Sequence, residues 1–303
     1  MEIFQLNIAI AKYKSISKAS EKLYITQSAL NQQLLSLEKY FGAPFFIRNK
    51  NNWEITEVGR IYIESSRDIL QIENSMTLKI QDAAKTWKNR ITIGLPPERG
   101  VKMFTAVYPT IHKKYPNVVF QPIELEVETQ SKMMLSGELD IGFQTISELK
   151  YKQLSYIKIL REPFYLCIPK THRLAYTEAF LPYNYPKISL SLFKDDQFTL
   201  VRRTSSMRYI IDNSFKDAGF SPELIFESTS MSSMQHLCET GICCSIIPRF
   251  YAIKSNHVCY FSLGPSVGWD LYCVYNKNSY LSKPIKDFIT MATDYWNTHF
   301  LLD

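Results

Sequence analysis

Two runs near the amino terminus decide the fold, Ser15-Ile-Ser-Lys-Ala-Ser-Glu-Lys-Leu23 and Thr26-Gln-Ser-Ala-Leu-Asn-Gln-Gln-Leu-Leu-Ser-Leu-Glu38. Ser17 and Thr26 are residue types that cap helix amino termini, so each run predicts a helix that begins at its cap. The second helix is expected to bury the face that carries Leu30, Leu34, Leu37 and Phe41, which recur at steps of four, three and four. Two helices joined by a short turn predict a helix-turn-helix.

The opposite face of the second helix is polar and lies in a basic stretch. It carries Ser28, Asn31, Gln32, Leu35 and Lys39. Asparagine and glutamine amides can bridge N6 and N7 of adenine in the major groove, and Leu35 can contact a thymine methyl group. Residues 12–50 hold seven Lys or Arg side chains against two acids, which is nearly all of the net charge of +6. The polar face and the basic charge together favour a segment that binds a polyanion. The other interpretation is a helical bundle whose helices only pack against one another.

A hairpin is predicted directly after these helices. The β-prone runs Phe45–Arg48 and Trp53–Thr56 flank a polar loop. Arg48 and Lys50 in this hairpin suit phosphate groups or the minor groove. With a further helix over residues 3–13, the segment predicts a winged helix-turn-helix.

Residues 58–88 show the apolar spacing of a long helix that pairs along a seam. The seam runs through Val58, Tyr62, Ser65, Ile69, Ile72, Met76, Ile80, Ala83 and Trp87. A helix of about 30 residues extends about 45 Å at 1.5 Å per residue. Its apolar seam needs a partner, and packing on the chain's own domain is the alternative to pairing with a second chain.

Strands and helices alternate in the remaining two-thirds of the chain. Strands are predicted at residues 90–94, 118–125 and 139–143, with a helix in each interval. This succession predicts a mainly parallel sheet, whose ligand crevice lies at the carboxyl ends of its strands. Pro122 predicts an edge strand or a bulge.

The two opening runs, together with Phe41-Gly-Ala-Pro-Phe-Phe-Ile-Arg48 and Thr56-Glu-Val-Gly59, resemble LysR-type transcriptional regulators. The resemblance implies an α+β multidomain fold with an N-terminal winged helix-turn-helix, a long linker helix and a C-terminal two-lobed α/β domain like a periplasmic binding protein. The chain departs from the family pattern at Ser28, where Pro is usual, and at Asn31, where Ser is usual. Since Asn31 lies on the polar face, we expect a base preference that differs from that of typical members.

The resemblance also implies domain bounds and partners. The expected domains are 1–57 for DNA binding, 58–88 for the linker (dimerisation) helix and 89–303 for effector binding, with lobe one at 91–163 and 268–303 and lobe two at 164–267. The expected partners are double-stranded DNA with a pseudo-palindromic operator, a small-molecule effector, and a second copy of the chain in a homodimer or homotetramer.

Two sets of site residues follow from the resemblance and the polar face. The DNA-binding set is Ser17, Thr26, Gln27, Ser28, Asn31, Gln32, Arg48 and Lys50. The effector-binding set is Pro97, Glu98, Thr129, Gln130, Gln144, Thr145, Arg202, Arg203 and Thr204. Guanidinium groups bind carboxylates well, so these loops suit a small polar or anionic effector; solvated surface charge is the other interpretation of Arg202 and Arg203.

Catalytic, metal-binding and membrane patterns are absent from the sequence. No nucleotide-binding, zinc-protease or serine-hydrolase motif occurs, so we expect no enzyme, no cofactor and no metal. The first four residues lack the pattern of a secretory signal, and no apolar run approaches the ~20 residues that span a bilayer, so we expect a cytoplasmic protein without a membrane partner. Two alternatives stay open: a thiol-based redox sensor acting through Cys238, Cys243 or Cys244, and a small-molecule binding protein without DNA readout.

Overall fold

The structure is a computed structural model that describes residues 2–49, 53–176, 184–253 and 255–301. Its helices are α1 (Glu2–Tyr13), α2 (Ile16–Leu23), α3 (Gln27–Phe41), α4 (Glu57–Ala84), α5 (Arg99–Lys114), α6 (Val127–Leu135), α7 (Ser206–Asp217), α8 (Met231–Glu239) and α9 (Lys283–Leu301). Its strands are β1 (Phe46–Arg48), β2 (Trp53–Ile55), β3 (Arg90–Leu95), β4 (Val119–Glu124), β5 (Ile141–Ile146), β6 (Leu154–Pro169), β7 (Gln197–Val201), β8 (Glu223–Ser228), β9 (Cys244–Pro248), β10 (Val258–Ser262) and β11 (Gly268–Asn276).

The amino-terminal helices and hairpin share a small hydrophobic core. Its buried members are Leu6, Ile10, Ile16, Ala19, Leu30, Leu34, Phe45 and Phe46. Thr26 caps α3 as predicted, because its Oγ1 accepts a hydrogen bond from the Ala29 amide at 3.2 Å. Leu30 and Leu34 form the buried face of α3, whereas Phe41 at the end of that helix is half exposed. This unit is the predicted winged helix-turn-helix.

The prediction that Ser17 caps α2 is wrong. Ser15 holds that position, and its hydroxyl oxygen accepts a hydrogen bond from the Lys18 amide. The helix begins at Ile16, whose side chain is buried in the core. A cap at Ser17 would start the helix at residue 18, whereas the observed helix starts two residues earlier, with Ile16 buried in the core. Ser17 therefore lies inside the first turn, where it is exposed.

The wing is an antiparallel pair in which Arg48 lies opposite Trp53. Lys50 falls outside the described residues, so its placement stays a prediction. The start of α4 packs directly on the wing, because a Cβ added to Gly59 would lie 2.1 Å from the backbone oxygen of Phe45. A side chain at Gly59 would therefore separate the long helix from the wing.

The long helix α4 begins after Thr56 and ends at Ala84, four residues before the predicted end at 88. Lys85 ends it in a left-handed conformation, with φ of 53°. Trp87 therefore lies beyond the helix rather than on its seam, and its indole donates a hydrogen bond to Asp82 at 2.6 Å. Asp82 also accepts hydrogen bonds from the Lys283 amide, so the carboxyl end of α4 is attached to the region that follows it.

The remainder of the described chain is built around a nine-stranded sheet, with the path β4-β3-β5-β11-β6-β9-β7-β8 and β10 paired to β6, and carries the helices α5 to α9. The pairs of β3 with β4 and β5, and of β7 with β8 and β9, are parallel, as the alternation of strands and helices predicts. The prediction of a mainly parallel sheet is wrong for the whole sheet, because the long strands β6 and β11 run antiparallel to all their neighbours, so four of the eight strand pairs described are antiparallel. Pro122 lies in the edge strand β4, where the missing amide breaks no ladder.

The sheet divides into two lobes along the long strand β6. Residues up to Pro163 pair with β11, and residues from Phe164 pair with β9 and β10. Two separate hydrophobic cores cover the first lobe, and a single large core fills the second. The chain thus crosses between the lobes within β6 and again just before β11.

In the described part of the chain, no helix combines the length and the apolar character that crossing a membrane requires.

Candidate functional site

The polar face of α3 is open to solvent in the structure. Ser28, Gln32 and Lys39 are exposed, Leu35 is partly exposed, and Asn31 is half-buried. The Ser17 hydroxyl donates a hydrogen bond to Oε1 of Gln27 at 3.1 Å. This contact joins the first turns of α2 and α3, so the predicted contact residues on both helices form one continuous surface.

Thr26 lies at the amino terminus of this surface. Its hydroxyl oxygen is used as an acceptor by the Ala29 amide, which leaves the hydroxyl proton free to donate. A helix amino terminus also concentrates partial positive charge and free amides, a combination that binds phosphate oxygens.

Arg48 on the wing is held in place by a residue that sequence reasoning missed. Glu38 at the end of α3 accepts hydrogen bonds from Arg48 at 2.6 Å and from the Phe45 amide at 2.7 Å. The Arg48 guanidinium also lies over the Trp53 ring at 5.3 Å. An acid within a basic stretch was the available clue, and its role is to fix the angle between α3 and the wing.

Where the two lobes meet, the first lobe contributes the loop from β3 to α5, which carries Pro97 and Glu98. The Glu98 carboxylate accepts hydrogen bonds from the hydroxyls of Ser230 at 3.1 Å and Ser232 at 3.2 Å, both on the second lobe. On the second lobe, the loop Arg202–Thr204 is exposed at the carboxyl end of β7. The Ser206 hydroxyl, which follows this loop, lies 3.5 Å from the backbone oxygen of Thr145.

Three predicted effector residues are engaged inside the first lobe. Gln144 is buried and donates to the backbone of Val127 and to Ser131, and Thr145 is buried in the same strand. Gln130 is fully buried beneath Gly142, where an added Cβ would lie 2.4 Å from its Oε1. The Gln144 amide thus attaches α6 to the sheet, and the Gln130 amide donates to the backbone oxygen of Leu125 at 2.9 Å, whereas Thr129, one residue before Gln130, is exposed.

A buried ion pair lies where the chain crosses between the lobes. Arg99 donates to Glu162, and the two side chains are 3% and 0% exposed. Glu162 also accepts from the indole of Trp269 and from the amide of Phe250 at 2.9 Å. The Arg99 guanidinium lies 5.1 Å from the Phe250 ring centroid. This cluster, absent from our prediction, joins elements of both lobes at the crossing.

The thiols proposed for redox sensing lie in the core of the second lobe. Cys238, Cys243 and Cys244 are all buried. A hydrogen bond to Cys167, together with burial, raises the pKa of the Cys238 thiol, and burial raises the pKa of Cys244 to about 12. Reactive thiols instead need a lowered pKa and access to oxidant, so the redox interpretation gains no support. Among the described side chains, no cluster of three or more His, Cys, Asp or Glu could hold a metal ion.

Peroxide is therefore expected to leave the behaviour of the protein unchanged. The check is a DNA-binding titration before and after treatment, alongside thiol counting with a disulfide reagent under native and unfolding conditions. We expect the thiols to react only after unfolding. A shift in DNA affinity on peroxide treatment that Cys238→Ser abolishes would restore the redox interpretation.

A winged helix-turn-helix, a long helix with an apolar seam and a two-lobed cleft together define a ligand-responsive DNA-binding regulator. Family comparison agrees: residues 1–60 match the bacterial regulatory helix-turn-helix protein, lysR family, and residues 84–297 match the LysR substrate binding domain. The chain belongs to the LysR family of transcriptional regulators.

Individual relatives are distant but extend over most of the chain. The HTH-type regulator YcgK of Bacillus subtilis is 24% identical over 97% of this chain and 94% of its own length. HcaR, the Hca operon transcriptional activator of Escherichia coli, is 21% identical over 80% of this chain and 79% of its own.

Solved structures show the same fold. A full-length OxyR variant from Pseudomonas aeruginosa, 18% identical, covers 96% of this chain and 95% of its own with a TM-score of 0.66. The LysR family regulator CbnR, also 18% identical, covers 97% and 98% with a TM-score of 0.55. A further structure contains full-length CbnR complexed with its target DNA.

Proposed function

We propose that this LysR-family regulator reads its operator with the exposed face of α3, placing Gln27, Ser28, Asn31 and Gln32 at base edges in the major groove. The observation that carries this assignment is the exposed, amide-rich face of a helix whose amino terminus is capped by Thr26. Ser17, Thr26, Arg48 and Lys50 would contact the DNA backbone, which sets register without reading sequence.

The chain is proposed to bind DNA as a homodimer, or as a tetramer built from two dimers, through α4. The observation in favour is that the predicted seam is exposed: Ile69, Ile72, Met76 and Ile80 are all more than a third accessible. Two winged helix-turn-helix domains related by a two-fold axis match a pseudo-palindromic operator, whose half-sites lie one turn of DNA or a multiple of one turn apart.

The effector is proposed to be a small anionic molecule bound between the lobes. The proposed contacts are Pro97, Glu98, Thr129, Gln130, Gln144, Thr145, Arg202, Arg203 and Thr204. Of these, Gln144 also donates to Val127 and Ser131 of α6. In support, the Ser230 and Ser232 hydroxyls at the amino terminus of α8 already bind a carboxylate, that of Glu98. The domain bounds 1–57, 58–88 and 89–303 stay part of this proposal.

The proposed role is binding rather than catalysis, exercised in the cytoplasm, where the operator DNA of a bacterial-type regulator lies. In support, the matching family models describe transcriptional regulators.

Replacing Gln32 with alanine tests the DNA assignment. We expect a loss of discrimination of about 1–3 kcal/mol at one base pair of each half-site, with little change at the others. The measurement is selection from random DNA followed by titration of single-base variants of the selected site at two salt concentrations. Steep weakening with salt is also expected for a protein that contacts several phosphates.

Gln33→Ala supplies the matched control. Gln33 is the neighbouring exposed glutamine, turned about 100° around α3. It should keep the wild-type preference at every position. Equal preferences in Gln32→Ala and wild type would remove Gln32 from the reading face, and selection of no sequence by the wild type would remove the DNA-reading function itself.

A further inference from the structure

The loop that carries Glu98 has an unusual backbone. Glu98 has φ of 57° and ψ of −72°, and the Arg99 amide donates to the backbone oxygen of Pro97 at 2.7 Å. This is a γ-turn with a positive central φ, a rare and strained conformation for a residue other than glycine. Such strain persists only where surrounding contacts hold it in place.

The contacts that hold Glu98 come from the other lobe. Its two carboxylate oxygens accept from Ser230 and Ser232 respectively, at 3.1 and 3.2 Å. Tyr251 of the second lobe is buried nearby, and this burial, followed by the negative charge of Glu98, raises the pKa of its hydroxyl. Two hydroxyl groups of the second lobe thus bind one carboxylate of the first.

The amino terminus of α8 adds a favourable field at this point. Ser230 caps α8, a helix of nine residues, and its oxygen accepts from the Ser233 amide at 3.3 Å. A carboxylate at a helix amino terminus is stabilised by the helix dipole and by hydroxyl donors. The hydroxyls of Ser230 and Ser232, at the amino terminus of α8, therefore form a carboxylate-binding site, here called the hydroxyl seat, which Glu98 occupies.

We propose that Glu98 is an internal latch, which holds the two lobes together by placing its own carboxylate in the hydroxyl seat of Ser230 and Ser232. This inference rests on the proposed function, in that the cleft is the effector site, and it adds a mechanism of regulation. An anionic effector would compete with Glu98 for the seat, so binding would exchange an internal carboxylate for an external one. The strained turn at Glu98 favours its release once the seat is taken.

The latch is tested by measuring lobe separation in the full-length protein without added effector. Spin labels at Lys113→Cys in the first lobe and Lys216→Cys in the second report the distance between lobes, because both positions are exposed and the native cysteines are buried. Labelled chains are diluted into unlabelled chains so that distances within one chain dominate. We expect Glu98→Ala and Ser232→Ala each to move the distance distribution to longer values, by more than about 2 Å, and to broaden it.

Ser233→Ala is the matched control, because Ser233 follows Ser232 in α8 but its hydroxyl bonds the Ser230 hydroxyl, at 3.1 Å, and not the Glu98 carboxylate. The Ser233→Ala variant should keep the wild-type distribution of distances between the lobes. An unchanged distribution in Glu98→Ala would overturn the latch. Because lobe separation is measured without DNA, its result is independent of whether the protein reads an operator, so the latch and the proposed DNA function fail separately.

Discussion

Replacing Ile72 with glutamate should leave the protein monomeric where the wild type is a dimer, and should lower its affinity for operator DNA by about 100-fold or more. Ile72 is 70% exposed at the middle of the seam on α4. Neighbouring side chains on the same face, among them Ile69 and Met76, are also exposed and apolar. A carboxylate placed between two such seams would lose its hydration without gaining a partner.

The fall in DNA affinity follows from the loss of the second DNA-binding domain. The two DNA-binding domains of a dimer bind adjacent half-sites at a high effective concentration, and a monomer keeps only the contacts of its single domain. Sedimentation velocity measures the oligomeric state, and titration of labelled operator measures affinity. Asn74→Glu is the control, because it adds the same charge at an exposed position about 200° around the helix. A stable Ile72→Glu dimer would contradict pairing through this seam.

Features of the fold that depend on near neighbours could be predicted from the sequence. Thr26 caps the helix that directly follows it, and Pro122 lies on an edge strand, because both effects act within a few residues. The end of α4 could not be predicted this way. Lys85 rather than glycine adopts the left-handed conformation there, and Asp82 is bound by the Lys283 amide, 201 residues away. The end of the helix thus coincides with a contact to a distant part of the chain, which no local pattern reveals.

The candidate sites divide in the same manner. Helical spacing alone assigns Gln32 to an exposed face, because the spacing of Leu30 and Leu34 puts them together on the buried face of α3 and leaves Gln32 on another side. Glu98 was named from its position, but its partners Ser230 and Ser232 lie more than 130 residues away, and no spacing rule in one sequence connects them. Gln144 shows the converse: its place in the chain suggested a ligand contact, whereas its amide is bonded within its own lobe.

Removing the charge of Arg99 should destabilise the effector-binding region by about 3–5 kcal/mol, the largest stability effect we expect from a single substitution. Arg99→Met keeps most of the side-chain volume but leaves the Glu162 carboxylate fully buried without its cation. The two N–H donors from Trp269 and Phe250 remain, but they carry no full charge to offset the lost hydration of the carboxylate. Urea unfolding followed by tryptophan fluorescence measures the loss.

A double-mutant cycle separates this pair from simple repacking. Glu162→Gln removes the other charge, and Arg99→Met combined with Glu162→Gln should be less destabilised than the sum of the two single changes, because neither charge is then left alone. Lys132→Met is the control at an exposed pair with Glu128, where the ions are 70% and 48% accessible and the expected change is within about 0.5 kcal/mol. Strict additivity in the cycle would show that Arg99 and Glu162 act independently. Because the pair lies where β6 passes from one lobe to the other, coupling between its members would mean that the crossing is held by charge as well as by packing.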